Sequence, residues 1–236
     1  MRKKLLSALT MGIFVAAGLA SHSAANAATT NTTKSTAAKS SGAKKAKPAA
    51  ATPAKAKKTT AADQWHATRQ LAVASTAALV VEQGGSEPIY QKNADVVVPI
   101  ASISKLMTAM VVLDSMPNLQ EPIHVSDDDV DYLKGSRSRL HVGSELARED
   151  AMLISLMSSE NRATHALARH YPGGLSAFVT AMNRKAAELG MFNTRFEDPT
   201  GLSSNNVSTA KDLAKMVAAA HRYPLIREFS TTSDAK

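Results

Sequence analysis

One long apolar stretch, residues 96–113, restricts what this chain can fold into. It begins with three valines, which are typical of a strand, and Pro99 should end that strand because proline has no N–H to donate to a sheet. The rest is rich in Leu, Met and Ala, and it is apolar on nearly every side of a helix. Such a helix must be buried, so we predict that it is the central helix of the domain.

Two polar side chains interrupt this helix at a spacing of three residues. Ser102 and Lys105 share a face near its start, and the next positions on that face, Ala109 and Val112, are apolar. Burial disfavours an ammonium group, so we expect the pKa of Lys105 to fall towards neutral pH. A neutral amine one turn from a hydroxyl can accept its proton, and a helix N-terminus favours the negative charge that develops. The pair is therefore a candidate nucleophile and general base.

A simpler interpretation is that Ser102 caps the helix and Lys105 extends its amine to solvent. The spacing alone does not decide, because Ser-x-x-Lys also occurs at residues 41–44, 208–211 and 233–236. The first of these matches lies in a low-complexity tract, the second at the start of a predicted helix with a polar side, and the third at the last residues of the sequence. Only Ser102 begins a helix that is otherwise apolar, which favours the catalytic interpretation.

The first 63 residues have the features of an exported leader followed by a linker. Residues 1–27 combine a basic start, an apolar middle and an Ala-Asn-Ala cleavage site. We therefore expect a cleaved signal peptide rather than an anchor, and a periplasmic mature chain without a transmembrane segment. Residues 28–63 hold eight lysines and no aromatic or large aliphatic side chain, so we expect a disordered linker. The predicted folded domain comprises residues 64–236.

The net positive charge of the chain comes from this leader and linker. The formal charge is +8, but residues 64–236 carry 17 basic and 19 acidic side chains. The linker resembles the lysine-rich tails of DNA-binding proteins, but export argues against nucleic acid as a partner. A tether for anionic envelope polymers and a spacer without a partner are the alternatives. The chain has no cysteine, which excludes disulfides and thiol catalysis.

We predict neither a metal site nor a cofactor. The acidic run at residues 127–131 lacks the glycine and glutamate of a calcium loop, since Tyr132 and Ser138 occupy those positions. A solvated acidic turn fits the run better. His165 and His170 are five residues apart and do not share a helix face, so they do not form a pair of metal ligands.

Hydrophobic periodicity places further elements on both sides of the central helix. Two strands joined by a glycine turn form a predicted hairpin, a short strand follows the central helix, and four more helices complete an α+β domain. The strands are residues 71–82, 88–92 and 121–125. The helices are residues 148–158, a helix that follows residues 158–161 and ends at His170, residues 175–189 and, as the last one, residues 209–221.

Several segments resemble the low-molecular-mass penicillin-binding proteins. Residues 99–110 are similar to their Ser-x-x-Lys active-site segment, and residues 156–163 are similar to their Ser-x-Asn segment. Residues 194–202 and 223–226 also resemble this family. The similarity is greatest to its D-alanyl-D-alanine endopeptidase branch, the penicillin-binding protein 7 type among the serine D-Ala-D-Ala carboxypeptidases.

This resemblance implies a fold of the β-lactamase/transpeptidase type, with an antiparallel sheet flanked by helices and a helical subdomain. It implies that Ser102 forms an acyl-ester with a D-alanyl carbonyl and that Lys105 is the proton acceptor. Ser159 would relay protons to the leaving amine, and Asn161 would contact the substrate amide and Lys105. The substrates would be stem peptides and cross-links of peptidoglycan, and β-lactams would acylate the same serine.

The sequence departs from the family in its third motif. That motif, Lys-Thr-Gly, lies on a later strand that binds the substrate carboxylate and donates half of the oxyanion hole, and the nearest match here is residues 58–60. We therefore expect a C-terminally truncated domain that lacks the later strands, leaves one face of the central helix uncovered, and is inactive or poorly folded. A β-lactamase on the same scaffold and a non-catalytic envelope-binding protein are the alternative functions.

Overall fold

The computed structural model describes residues 15–17, 73–85 and 87–234. This part of the chain combines α-helices with short antiparallel strands, which confirms the predicted α+β class. The predicted signal peptide and linker, residues 1–63, lie outside the described residues except for Val15–Ala17. Cleavage of the leader and disorder of the linker therefore stay predictions.

The strands of the described residues form three small antiparallel sheets. They are β1 (Val15–Ala17), β2 (Ala77–Val81), β3 (Pro88–Lys92), β4 (Val98–Pro99), β5 (Pro122–His124), β6 (Glu145–Ala147) and β7 (Val207–Ser208). β2 lies between β1 and β3, β4 pairs with β7, and β5 pairs with β6. The predicted hairpin is confirmed as β2–β3, although its first strand is shorter than residues 71–82. The turn uses Gly84, whose φ of +82° suits a residue without Cβ.

Six α-helices surround or form the core of this part of the chain. They are α1 (Ser104–Asp114), α2 (Arg148–Met157), α3 (Asn161–Arg169), α4 (Gly174–Glu188), α5 (Ala210–Ala220) and α6 (Pro224–Thr231). The prediction that residues 209–221 form the last helix is wrong, because α6 follows it. Pro224 at the first position of α6 is favourable, since its φ suits a helix and its missing N–H would have no helical partner.

α1 is the central helix, as predicted. It packs against each of the other five helices, and Met107, Met110 and Val112 are at most 2% exposed. The expectation of an uncovered face on α1 is wrong for the described structure. α6, which the sequence did not predict, contributes Ile226 and Phe229 to the same core.

The strand before α1 is shorter than predicted, and Pro99 lies within it. β4 contains only Val98–Pro99, while Val96 and Val97 are about half exposed. Pro99 is tolerated because the sheet has only two strands, so one side of β4 needs no N–H donor. A single 3-10 turn then connects β4 to α1.

The acidic run before β6 is only partly solvated. Asp127 and Asp128 are exposed as predicted, but Asp129 is 3% exposed. Its carboxylate lies 2.8 Å from Arg169 Nη2 and 2.7 Å from His165 Nδ1. Burial opposes ionisation of Asp129, but the hydrogen bonds to His165 and Arg169 outweigh it and hold its pKa below the usual range. These contacts attach the acidic turn to α3.

Candidate active site

Ser102 lies at the surface, in the 3-10 turn that precedes α1. The N-cap residue of that turn is Ile100 and the N-cap residue of α1 is Ile103, and neither makes a side-chain cap hydrogen bond. The Ser102 hydroxyl oxygen instead accepts a hydrogen bond from Lys105 Nζ at 3.0 Å. Since Lys105 is only 3% exposed, the interpretation of a capping serine and a solvated lysine is wrong.

The Lys105 amine is surrounded by three oxygen acceptors. Nζ lies 3.0 Å from Ser102 Oγ, 2.8 Å from Asn161 Oδ1 and 2.9 Å from the Thr200 carbonyl oxygen. Burial lowers the pKa of Lys105 from 10.5 to about 8, while the negative charges of Asp198 and Glu160 act in the opposite direction. When Nζ loses one proton, it can keep its bonds to Asn161 and Thr200 and direct its lone pair at Ser102.

A tight loop after α4 supplies the Thr200 carbonyl. Asp198 Oδ1 accepts hydrogen bonds from the backbone N–H groups of Thr200 and Gly201 at 2.6 and 2.7 Å, and Asp198 Oδ2 accepts one from Ser203 N–H at 2.7 Å. Gly201 has a φ of +86°, and a Cβ added there would lie 1.9 Å from the Ala101 carbonyl oxygen. Only glycine therefore allows this loop to pack directly on the backbone before Ser102.

Asn206 connects the same loop to the start of α1. Its Nδ2 donates to Ser104 Oγ at 3.0 Å and to the Asp198 carbonyl at 2.8 Å, and its Oδ1 accepts from Glu197 and Asp198 N–H at 2.8 and 3.0 Å. Asn206 is fully buried. Its carboxamide thus replaces water for several buried polar groups and fixes the loop against the helix that carries Lys105.

The second motif lies in the turn between α2 and α3. Asn161 is the first residue of α3 and bridges two groups, because Oδ1 accepts from Lys105 and Nδ2 donates to Ser136 Oγ at 2.9 Å. Ser159 is exposed in the turn itself and has a φ of +57°, an uncommon conformation for a serine. The structure thus brings Ser102, Lys105 and Asn161 into hydrogen-bond contact. Ser159 lies two residues before Asn161 in the chain, and no hydrogen bond joins it to Lys105.

Two groups that bond directly to Lys105 or Asn161 were not assigned from the sequence. The Thr200 carbonyl was missed because any residue type can supply a backbone carbonyl, although the neighbouring glycine was a signal for a close backbone approach. Ser136 was missed because it lies in none of the recognised motifs and its contact with Asn161 spans 25 residues.

The described part of the chain contains no group of three or more His, Cys, Asp or Glu side chains arranged to hold a metal ion. In the same residues, no helix combines the length and the apolar character that a bilayer crossing requires.

Comparison with known proteins identifies the family. Residues 61–236 match the family model of peptidase S11, D-alanyl-D-alanine carboxypeptidase. The chain belongs to this family. It is 52% identical over 165 residues to a D-alanyl-D-alanine endopeptidase of Pseudomonas aeruginosa, a match that covers 70% of this chain and 53% of that protein. It is 53% identical over 162 residues to a D-alanyl-D-alanine endopeptidase of Escherichia coli, covering 69% of this chain and 52% of that protein.

This peptidase S11 chain therefore spans about half the length of these two relatives. Among solved structures it is similar to the crystal structure of the Streptomyces K15 DD-transpeptidase, with a TM-score of 0.59 and 29% identity, over 63% of this chain and 61% of that one. This similarity confirms the predicted transpeptidase-like α+β fold, and the curated relatives confirm the resemblance to the D-alanyl-D-alanine endopeptidase branch.

Proposed function

We propose that this chain carries the nucleophile and the general base of a serine D-alanyl-D-alanine endopeptidase or carboxypeptidase that acts on peptidoglycan peptides through an acyl-enzyme. The observation that supports this most is the buried Lys105 amine, whose lowered pKa and 3.0 Å distance to Ser102 Oγ suit a general base. Family membership and the names of the two bacterial endopeptidases favour the same reaction.

In the first step, the neutral Lys105 amine accepts the proton of the Ser102 hydroxyl while Oγ bonds to the carbon of the D-alanyl carbonyl. The carbonyl oxygen becomes an oxyanion, and Lys105 becomes an ammonium. The tetrahedral intermediate then collapses, the C–N bond breaks, and the leaving amine takes up the proton that Lys105 accepted, delivered through the Ser159 hydroxyl. Lys105 is thereby a neutral amine again. A water molecule later attacks the acyl-ester carbon while Lys105 accepts one of its protons. The bond between that carbon and Ser102 Oγ then breaks, Oγ takes the proton back from Lys105, and the shortened peptide is released as a carboxylic acid.

We assign proton delivery to Ser159 and substrate contact to Asn161. Ser159 is exposed in the turn immediately before Asn161, so its hydroxyl is accessible to the leaving amine of a bound peptide. Its left-handed backbone is a local strain of the kind that occurs at functional sites. Asn161 accepts a hydrogen bond from Lys105 through Oδ1, so its carboxamide lies next to the proposed base.

The proposed partners follow from this chemistry. Stem peptides and cross-links of peptidoglycan are the substrates, and β-lactams are inhibitors because they present a strained amide to the same nucleophile. A periplasmic location, predicted from residues 1–27, would place the chain with that substrate. No cofactor is needed, since the three proposed steps move only protons and an acyl group.

The test is hydrolysis of a purified cross-linked peptidoglycan dimer and of a peptide ending in D-Ala-D-Ala, followed by mass spectrometry. Because Ser102, Lys105 and Asn161 are in hydrogen-bond contact, we replace the expectation of an inactive chain with one of slow turnover, about 10²–10³-fold below that of a site with a complete oxyanion hole. The parent chain should slowly convert the dimer to monomers or release D-alanine, and Ser102→Ala should release neither product. Equal product formation by parent and Ser102→Ala would refute the proposed function.

A further inference from the structure

Ser136 lies outside the two recognised motifs, in the irregular segment between the acidic turn and β6, yet it is hydrogen-bonded to the site. Its hydroxyl oxygen accepts from Asn161 Nδ2 at 2.9 Å. Asn161 Oδ1 in turn accepts from Lys105 Nζ at 2.8 Å. The carboxamide of Asn161 therefore has one neighbour that donates, Lys105, and one that accepts, Ser136.

The position of Ser136 is fixed by Asp131. The Asp131 carboxylate accepts hydrogen bonds from the backbone N–H groups of Leu133, Lys134 and Ser136 at 2.9, 3.0 and 2.9 Å. Burial works against the charge, but a hydrogen bond from the Ser136 side chain and the three backbone bonds outweigh it and lower the pKa of Asp131 to about 2. The carboxyl is thus ionised and acts only as an acceptor at neutral pH.

These contacts determine which way the Ser136 hydroxyl points. A serine hydroxyl has a single proton to donate, and the ionised Asp131 carboxylate, which already accepts the Ser136 backbone N–H at 2.9 Å, is the neighbouring group that attracts it. The oxygen consequently presents a lone pair to Asn161, where it can only receive an N–H. A carboxamide turned by 180° would face Ser136 with its carbonyl oxygen, and neither atom would have a proton to share.

The orientation of Asn161 matters for the proposed base. In the observed orientation, Oδ1 accepts one of the protons that Lys105 retains, and the lone pair of the neutral amine stays free for Ser102. In the turned orientation, Nδ2 would donate to that lone pair and compete with the Ser102 hydroxyl for it. Turning the carboxamide would therefore inactivate the base without moving any backbone atom.

We propose that Ser136, held by Asp131, is a positioning residue that fixes the orientation of the Asn161 carboxamide and so keeps the Lys105 lone pair available to Ser102. This inference rests on the proposed function for its catalytic consequence. The orientation itself can be measured independently of any reaction.

The experiment compares four full-length chains: the parent, Ser136→Ala, Ser136→Thr and Ser138→Ala. Threonine keeps the hydroxyl. Ser138→Ala is the matched control, because Ser138 lies on the same segment but its hydroxyl contacts Glu160 Oε2 at 3.1 Å rather than Asn161. The first readout is the NMR signal of the Asn161 side-chain NH₂ group, assigned with Asn161→Asp. The second is the rate of Ser102 acylation by benzylpenicillin across pH 6–9, separated into binding and acylation constants.

We expect Ser136→Ala to shift the Asn161 NH₂ signal and accelerate its hydrogen exchange, whereas Ser136→Thr and Ser138→Ala retain the parent signal. The acylation constant of Ser136→Ala should fall about 5- to 10-fold, the effect of one hydrogen bond, with the binding constant unchanged. Ser136→Thr should restore the parent rate.

An unchanged Asn161 signal in Ser136→Ala would overturn the inference, and so would an equal shift in Ser138→Ala. A parent chain that is not acylated would refute the proposed function, while the NMR comparison would still decide whether Ser136 orients Asn161. The two failures are therefore distinguishable.

Discussion

The buried amine of Lys105 should make the stability of the chain depend on pH in a calculable way. Lys105 is 3% exposed, and burial lowers its pKa from 10.5 to about 8. In the unfolded chain its pKa returns to the ordinary value. Between pH 8 and 10.5 the unfolded state therefore binds more protons than the folded state, and linkage requires the free energy of unfolding to rise with pH across this window.

The magnitude follows from the two pKa values. At pH 7 the folded state holds its charged lysine at a cost of about 3 kcal/mol relative to the unfolded state. Raising the pH from 7 to 9.5 should remove about 2 kcal/mol of that cost. Lys105→Met removes the titrating group, so its contribution to the pH dependence disappears, while all other groups titrate as in the parent.

The assay is urea unfolding of the parent and Lys105→Met at four pH values from 7 to 9.5. The difference in the free energy of unfolding, parent minus variant, should increase by about 2 kcal/mol over this range. Hydrogen bonds lost with the amine do not affect this comparison, because their loss is the same at each pH. A difference that stays constant from pH 7 to 9.5 would show that the Lys105 pKa is not lowered, and the argument for a general base would fail.

Three further predictions concern the surroundings of the site. Gly201→Ala should lower the free energy of unfolding by at least about 2 kcal/mol in urea titration, because its Cβ would overlap the Ala101 carbonyl and its φ would be strained; an unchanged midpoint would contradict the close approach. Asp129→Asn should lower the free energy of unfolding by about 3 kcal/mol at pH 7 by leaving the Arg169 charge unpaired, and this loss should shrink below pH 4, where the carboxyl of the unfolded parent binds a proton while the folded one stays ionised; a loss independent of pH would be inconsistent with an ionised pair. The rate of β-lactam acylation should rise about tenfold per pH unit up to about pH 8 and then level off, following deprotonation of Lys105; stopped-flow rates that are flat from pH 6 to 8 would exclude this base.

The central helix and its reactive pair could be predicted from the sequence because the relevant signals are local. Ser102 and Lys105 are three residues apart, and the positions that follow Lys105 on the same face are apolar, which favoured a buried lysine next to the serine. The sequence did not show that Ser102 lies in a 3-10 turn before α1 rather than in the helix itself. The second motif needed the family resemblance, because Ser-x-Asn also occurs at residues 203–205 and 204–206.

The contacts that complete the site depend on long-range packing and have no local signal. Lys105 meets the Thr200 carbonyl across 95 residues, and Asn206 meets Ser104 across 102 residues. The burial of Asp129 was missed for the same reason, because its partners lie 36 and 40 residues away on α3. A run of acidic residues is normally solvated, and only the tertiary position of Arg169 reverses that expectation.

The claim that Lys105 activates Ser102 as a nucleophile is tested most directly by intact-mass measurement of the chain after incubation with benzylpenicillin, alongside Ser102→Ala. We predict a covalent adduct with the mass of the opened β-lactam on the parent, assigned to Ser102 by peptide mapping, and an unmodified Ser102→Ala. A parent that stays unmodified after prolonged incubation, or an adduct that persists in Ser102→Ala, would contradict the account.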